Sequence, residues 1–142
     1  MKDNLFNIGM MYMSRNATQR VKELNKLNVT DKNFYLLCNK GSSKQVEDAL
    51  TLLHISPCYN YSKCLTSAVE GGKIDNIKVL IKDNRINPTS LSYNAIVVAI
   101  KRGYTDIFYL LKEYIKNYIV ENNGDVYTFY TYFLRKVVNM KE

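Results

Sequence analysis

The sequence of 142 residues has no tryptophan, two prolines and six glycines, which excludes a collagen-like chain and a Pro/Gly-rich disordered chain. Its three cysteines, Cys38, Cys58 and Cys64, are too few for a disulfide scaffold, and their spacing fits no zinc pattern. No run reaches the roughly 18 apolar residues of a membrane span. Residues 1–13 lack the apolar run and cleavage site of a signal peptide. We therefore expect a protein of the cytoplasm with reduced thiols and no contact with a membrane.

The remaining composition is that of a globular domain with an excess of positive charge. Hydrophobic residues make up 46% and charged residues 23%, and the length suits one domain. Twenty lysines and arginines against thirteen acids give a net charge of +7. Such a charge is compatible with an acidic partner or a nucleic acid. It is equally compatible with the nucleotide bias of an A/T-rich genome, which favours the abundant Lys, Asn, Ile and Tyr.

An internal repeat with a period of 31 residues dominates the pattern. The shift carries Ile55-Ser56-Pro57 onto Ile86-Asn87-Pro88. It also relates Leu65 to Ile96, Ala68 to Ala99, Gly72 to Gly103, Asp75 to Asp106, Ile77 to Phe108 and Leu80 to Leu111. A weaker copy lies upstream, where Phe34 corresponds to Leu65 and Gly41 to Gly72. We therefore predict three copies, at residues 31–54, 55–85 and 86–114.

Each copy predicts two short helices joined by a glycine turn. In the second copy the first helix covers about residues 62–70, with Cys64, Leu65 and Ala68 on one face. Gly71-Gly72 ends this helix, and Gly41 and Gly103 are expected to do the same, because glycine tolerates the left-handed conformation at a helix end. The second helix covers about residues 75–82. Since so short a pair cannot bury its apolar face alone, successive pairs are expected to stack as a solenoid.

This pattern resembles the ankyrin repeat, in the divergent form common in large DNA viruses. The family's helix Val-Val-x-Leu-Leu is similar to residues 76–80 and 107–111, and its Gly-His turn is similar to Gly72-Lys73 and Gly103-Tyr104. The family's Thr-Pro-Leu-His tetrapeptide keeps only its apolar third position, at Leu65 and Ile96, and each repeat is two residues shorter than usual. The resemblance implies an all-α, ankyrin-like solenoid of about three repeats that forms a single domain over residues 1–142.

The two ends of the chain are expected to cap the array. Residues 1–30 hold an apolar segment around Leu5, Phe6 and Met10 and then a cap helix at residues 15–28, with Val21, Leu24 and Leu27 in a stripe. Residues 115–142 continue the last helix and end in a segment, 126–138, whose spacing predicts a helix with one apolar face formed by Tyr130, Phe133, Leu134, Val137 and Val138. Its residue types also suit a strand, so that alternative stays open. The apolar N-terminal and aromatic C-terminal segments also suit self-association.

No arrangement of residues for catalysis, metal binding or cofactor binding is readable. The single histidine, His54, has no paired acid or nucleophile, and it is expected to lie in a turn. Cys38 and Cys64 lie on apolar faces and are expected in the core, whereas Cys58 lies in a connector and is expected to be exposed. The glycines form no phosphate loop. The sequence therefore predicts a protein that is not an enzyme, with no cofactor and no metal.

The resemblance also implies where a partner would bind. Ankyrin arrays meet their ligands on a concave surface made by connector tips and the exposed side of each first helix. The matching positions here are Asp31, Asn39 and Lys40 in the first copy, Tyr59, Asn60, Ser62 and Glu70 in the second, and Ser90, Leu91, Tyr93, Lys101 and Arg102 in the third. Tyrosine and arginine are enriched at interface hot spots.

These features together predict a non-enzymatic protein–protein interaction module. As a viral protein it would be an adaptor or inhibitor that docks a host protein in the host cytoplasm, and the positive charge is compatible with an acidic partner. The alternative is a nucleic-acid-binding protein that uses its basic surface, although no nucleic-acid-binding motif is present. An enzyme with an unrecognised site is the third hypothesis.

Overall fold

The structure, a computed structural model, describes residues 15–141, without the side chains of Leu91, Ser92 and residues 136–141. This part of the chain contains eight α-helices and no strand. The helices are α1 (Ala17–Lys26), α2 (Phe34–Lys40), α3 (Ser43–Thr51), α4 (Tyr59–Glu70), α5 (Ile74–Leu80), α6 (Ser90–Arg102), α7 (Thr105–Glu121) and α8 (Val126–Lys141). The all-α prediction is confirmed, and the segment 126–138 is a helix rather than a strand.

The chain divides into two compact units, one that ends at Asn87 and one that begins at Pro88. The first unit contains α1 to α5 and the second contains α6 to α8. The boundary falls in the connector that precedes the first helix of the third copy. A single repeat array across both units stays a prediction, and so does the ankyrin-like solenoid.

Helix α1 begins with a capping box, in which Asn16 Oδ1 accepts from the backbone N–H of Gln19 at 2.9 Å and Gln19 Oε1 accepts from that of Asn16 at 3.2 Å. Of the predicted apolar stripe only Leu24 is fully buried, and Leu27 is 38% exposed. The helix packs on α3, where Arg20 Nε donates to Asp48 Oδ2 at 2.8 Å. The predicted N-terminal apolar segment lies outside the described residues.

Two helical hairpins stack in the first unit. Helix α2 packs against α4, and α3 packs against α5, so that equivalent helices of successive copies are neighbours. The Asn39 side-chain amide donates to the Ser67 carbonyl oxygen at 2.8 Å, and the Asn76 side-chain amide donates to the carbonyl oxygens of Cys38 at 2.9 Å and Gly41 at 3.0 Å. These bonds tie α2 to both helices of the next hairpin. The buried apolar residues between the hairpins include Phe34, Leu37, Val46, Ala49, Leu65, Ala68, Ile77 and Leu80.

The 31-residue period is present in the backbone hydrogen bonds of the second and third copies. The N–H of Lys73 donates to the Ala68 carbonyl at 3.0 Å, and the N–H of Tyr104 donates to the Ala99 carbonyl at 3.0 Å. The residue before each of these donors is a left-handed glycine, with φ of 67° and 71° respectively. The paired positions Leu65 and Ile96, Ala68 and Ala99, and Leu80 and Leu111 are all buried. The repeat of local structure is therefore confirmed for these two copies.

The first copy departs from the other two at its turn. Gly41 ends α2 as expected, but its backbone is extended, with φ of −83° and ψ of 178°, so the expected left-handed conformation is wrong there. Helices α2 and α6 end at equivalent positions, and α3 begins at the position equivalent to the starts of α5 and α7. The difference is a capping box at the start of α3, in which Ser42 Oγ accepts from the N–H of Gln45 at 3.2 Å, whereas Lys73 and Tyr104 provide no side-chain cap for α5 and α7.

The second unit is held by α8, which packs on both α6 and α7. Phe129 of α8 is buried and lies 5.0 Å from the ring centre of Tyr93, and Phe133 stacks on Phe108 at 5.5 Å. Leu134, expected on the buried face, is 61% exposed. The buried face of α8 is therefore centred on Phe129 and Phe133. The side chains of Val137 and Val138 lie outside the described residues.

None of the eight helices described between residues 15 and 141 combines the length and apolarity that crossing a bilayer requires.

Two glycine substitutions separate backbone strain from steric overlap. A Cβ on Gly103 would meet no atom within 4 Å, so Gly103→Ala is costly only through its φ of 71°, by about 1 kcal/mol. A Cβ on Gly71 would overlap the Asn39 carbonyl oxygen, although the φ of Gly71 is an ordinary −79°. We expect Gly71→Ala to cost about 1–3 kcal/mol by overpacking. Urea unfolding followed by circular dichroism measures both.

Asparagine at each position is the control, since it is the residue that best tolerates left-handed backbone. Gly103→Asn should regain part of the loss, whereas Gly71→Asn should be at least as damaging as Gly71→Ala. Rescue at position 71 instead of position 103 would contradict these backbone assignments.

The Asn76 side-chain amide donates two buried hydrogen bonds, so we expect its removal to lower the stability of the first unit substantially. Asn76→Ala leaves the buried carbonyls of Cys38 and Gly41 without their donor, which should lower the free energy of unfolding by about 1–3 kcal/mol. Asn25 is exposed on α1, and Asn25→Ala is the matched control with little expected effect. Equal effects of the two substitutions in urea unfolding would show that Asn76 does not link the hairpins.

Candidate interaction surface

A cluster of aromatic and basic side chains forms where the connector before α4 meets α2. The ammonium nitrogen of Lys63 lies 3.9 Å from the ring centre of Tyr35, in the geometry of a cation–π contact. Tyr59 and Lys32 line the same shallow cleft. We call Lys32, Tyr35, Tyr59 and Lys63 the tyrosine–lysine cluster. The cleft has a volume of about 10 Å³, which is room for about one water molecule, so the cluster is a surface and not a ligand pocket.

Large side chains in the cluster, and others adjacent to it in the sequence, are open to solvent. Tyr59 is 47% exposed and Tyr61 is 70% exposed, and Leu36, which follows Tyr35 on α2, is 54% exposed. Lys40 lies four residues after Leu36, on the same face of the helix, and is exposed. Exposed aromatic side chains are enriched at protein interfaces relative to the rest of the surface.

The backbone at the start of α4 is held in an unfavourable conformation. Asn60, Tyr61 and Ser62 have φ of 54°, 57° and 60°, in the left-handed region. Each non-glycine residue in this region costs roughly 1–2 kcal/mol of conformational energy. Local strain of this kind concentrates at binding and catalytic sites, where surrounding contacts maintain it. Here the strained turn separates an exposed residue, Tyr61, from a buried one, Ser62.

The connector is fixed to the first copy by Asp31, which the family correspondence had placed on the binding surface. Asp31 Oδ1 accepts from the backbone N–H of Ser56 at 2.9 Å, across 25 residues of sequence. Pro57 beyond it is buried, and its carbonyl accepts from the thiol of Cys64 at 3.3 Å. These contacts hold Tyr59 at a defined place relative to α2.

The residues predicted from the resemblance are divided between different environments. Tyr59, Asn60 and Lys40 are exposed, and Glu70 is half-buried. Ser62 is only 5% exposed, because the left-handed turn directs it inward, so it is not a surface residue. The surface instead includes Tyr35, Leu36, Tyr61 and Lys63, which the family correspondence did not select.

In the second unit Lys101 and Arg102 are exposed, while Ser90 and Tyr93 are half-buried. The side chain of Leu91 lies outside the described residues. Tyr93 contacts the rings of Phe129 and Tyr132 at 5.0 and 5.1 Å, and burial raises its pKa. It therefore belongs to the packing between α6 and α8, and its assignment to an open binding surface is corrected. The aromatic residues of segment 126–138 were the sequence feature that could have indicated this packing of Tyr93 against α8.

The predicted environments of the cysteines and the histidine are confirmed. Cys38 and Cys64 are buried and Cys58 is exposed. His54 lies after the end of α3, exposed and with φ of 55°. Among the residues that the structure describes, no three His, Cys, Asp or Glu side chains are grouped so as to hold a metal ion.

Burial, a hydrogen bond with Cys64 and charge interaction with it raise the pKa of the Cys38 thiol well above its ordinary value. Folding therefore favours the protonated thiol. The stability that this proton contributes is complete below the ordinary thiol pKa, and it is lost as the pH rises beyond that value.

Comparison with protein families, with curated proteins and with solved structures gave no significant match for this chain. The ankyrin-like relationship accordingly stays a prediction.

Thiol labelling tests the two environments of the cysteines. With a disulfide reagent at pH 8, one thiol per chain, Cys58, should react rapidly, and the other two should react only as the first unit opens. Cys58→Ser should abolish the rapid phase and leave the slow one. Two or more rapid thiols in the folded wild-type chain would contradict the burial of Cys38 and Cys64.

Proposed function

We propose that the chain is a non-enzymatic protein-docking module, and that in its first unit the tyrosine–lysine cluster, with Leu36 and Tyr61, is the surface that meets a partner. The observation that carries this proposal is the exposure of two tyrosines and a leucine on stacked helices. Apolar side chains of this size are left in water at a cost, which association with another protein recovers. Tyrosine in particular carries a large share of interface free energy.

The framework under this surface supports a docking function. The side-chain amides of Asn39 and Asn76 link α2 to the second hairpin, and Asp31 holds the connector. A surface that is already in place loses little conformational entropy on binding, so more of the contact energy is available as affinity.

The charges of the surface favour a partner with acidic groups. Three exposed positive charges lie there, on Lys32, Lys40 and Lys63, with one exposed negative charge, on Asp31. Positive charge at an interface steers an acidic partner into contact and repels basic ones. The ankyrin resemblance extends this to a host-directed adaptor or inhibitor in the cytoplasm of an infected cell.

Nucleic-acid binding is the competing proposal for the same positive charge. Several basic side chains of the first unit are engaged locally: Arg20 with Asp48 at 2.8 Å, Lys44 with Glu47 at 2.9 Å and Arg85 with Asp83 at 2.7 Å. Phosphate contacts would have to compete with these ion pairs. Exposed tyrosine and leucine side chains are better matched to a protein than to a phosphate backbone.

Capture of partners from cell extract with matched variants tests the proposal. A Tyr59→Ala/Tyr61→Ala chain should lose the partner or bind it at least tenfold more weakly, about 1.4 kcal/mol, because both side chains would be buried in the complex. Tyr127 is 77% exposed on α8, and Tyr127→Ala is the control that should bind normally. Isothermal titration with the identified partner gives the dissociation constants.

Two results would contradict the proposal. One is a partner protein whose affinity is unchanged in the double variant, while circular dichroism shows that the variant is folded. The other is tight binding of DNA or RNA with a steep loss of affinity in salt, which would favour the nucleic-acid alternative.

A further inference from the structure

The second unit contains an open apolar groove where the turn between α6 and α7 faces α8. Its volume is about 290 Å³. Ala99 and Ile100 of α6, Phe108 and Tyr109 of α7 and Phe133 of α8 form its walls. Small-molecule pockets run to roughly 300–1,000 Å³ and enclose their ligand, so this groove is at the lower limit and suits one or two large side chains of a peptide better.

The aromatic walls are fixed by their own contacts. Phe108 stacks on Phe133 with ring centres 5.5 Å apart, and Tyr109 meets the edge of Phe108 at 5.0 Å. Tyr109 is nevertheless 61% exposed. At Gly103, also in the wall, a side chain would meet no atom within 4 Å. The groove is therefore preformed, apolar and open to solvent at this glycine.

The rim of the groove carries an excess of positive charge. Lys101 and Arg102 end α6 immediately before Gly103, and both are exposed. Arg102 lies one turn after Ala99, and Lys112 lies one turn after Phe108, so each is next to a wall residue on its own helix. Asp106 is the acidic residue of this turn, while Glu113 is paired with Lys116 at 3.0 Å.

This charge decides between the possible occupants. A second copy of the chain would bring a net charge of +7 to a basic rim, which opposes association. A segment with acidic residues beside its apolar anchor would be attracted to the same rim. We propose that the groove binds a partner segment that inserts one or two large apolar side chains and carries Asp or Glu beside them. This second docking site shares no residue with the tyrosine–lysine cluster.

A peptide selection tests the site and the chemistry together. The full chain is used as bait for a random dodecapeptide display library, and the affinities of selected peptides are measured by fluorescence anisotropy. We expect enrichment of a Phe, Leu or Trp anchor with flanking Asp and Glu. Replacing the acids by lysine in a selected peptide should weaken its binding at least tenfold.

Two groove variants locate the binding site. Tyr109→Ala removes an exposed wall, and Thr105→Trp places a large ring in the groove from the exposed first position of α7. Both should weaken the selected peptides at least tenfold. Tyr127→Ala is the matched control for the tyrosine and should change nothing.

A second pair of variants tests the rim. Arg102→Glu/Lys112→Glu should weaken acidic peptides at least tenfold. Lys78→Glu/Lys82→Glu makes the same charge change at exposed positions of the first unit and should have a much smaller effect.

Several results would overturn the inference. Failure to enrich any peptide, or enrichment of anchors without acidic flanks, contradicts the proposed chemistry. Displacement of the peptides by decanoate at equal concentration would make the groove a site for small apolar acids instead. A further outcome is peptides that bind the groove variants with unchanged affinity but fail to bind the Tyr59→Ala/Tyr61→Ala chain. That result would contradict binding in the groove and still support docking at the tyrosine–lysine cluster.

Discussion

The close approach of α2 and α4 is the constraint on which the first unit depends. The end of α4 lies so near Asn39 that a side chain on Gly71 would overlap the Asn39 carbonyl oxygen, while the Asn39 side-chain amide is bonded to the Ser67 carbonyl at 2.8 Å. Small residues are required at such a contact, because helices with larger ones stay further apart. The apolar core on either side of this contact is complete only while the two hairpins stay stacked.

The two proposed interaction surfaces follow from this packing and from that of α8. In the first unit, stacking of α2 on α4 puts Tyr35 under Lys63 and leaves Tyr59 and Tyr61 in solvent. In the second unit, Phe133 of α8 completes the wall of a groove that α6 and α7 begin. Each surface therefore combines a buried, well-packed side with exposed aromatic groups. The two surfaces share no residue, so separate substitutions test them.

Much of the fold was predictable because the repeated positions make repeated physical demands. A left-handed helix end favours glycine, which identified Gly72 and Gly103, and a close helix contact favours a small residue, which identified Ala68 and Ala99. The apolar periodicity of about 3.6 residues predicted where the helices lie, including the long α7. These features depend on local sequence, so they can be recognised in one amino-acid sequence.

The unpredicted features depend on tertiary contacts. The left-handed run at residues 60–62 contains no glycine, so nothing in its sequence indicates it, and the burial of Ser62 follows from it. Gly41 repeats the residue type but not the conformation, and the helix that follows it begins with a capping box at Ser42 that the other two copies lack. Tyr93 was assigned to a surface, since the packing of α8 against α6 could not be read from the repeat.

The side-chain amide protons of Asn39 and Asn76 give the most direct test of hairpin stacking. In nuclear Overhauser spectra of the labelled protein, the Asn39 amide should show strong contacts to the α-protons of Ser67 and Gly71, and the Asn76 amide should show them to Gly41. Both amides should also exchange slowly with solvent. Rapidly exchanging amides with contacts only to their own helices would contradict the stacked arrangement.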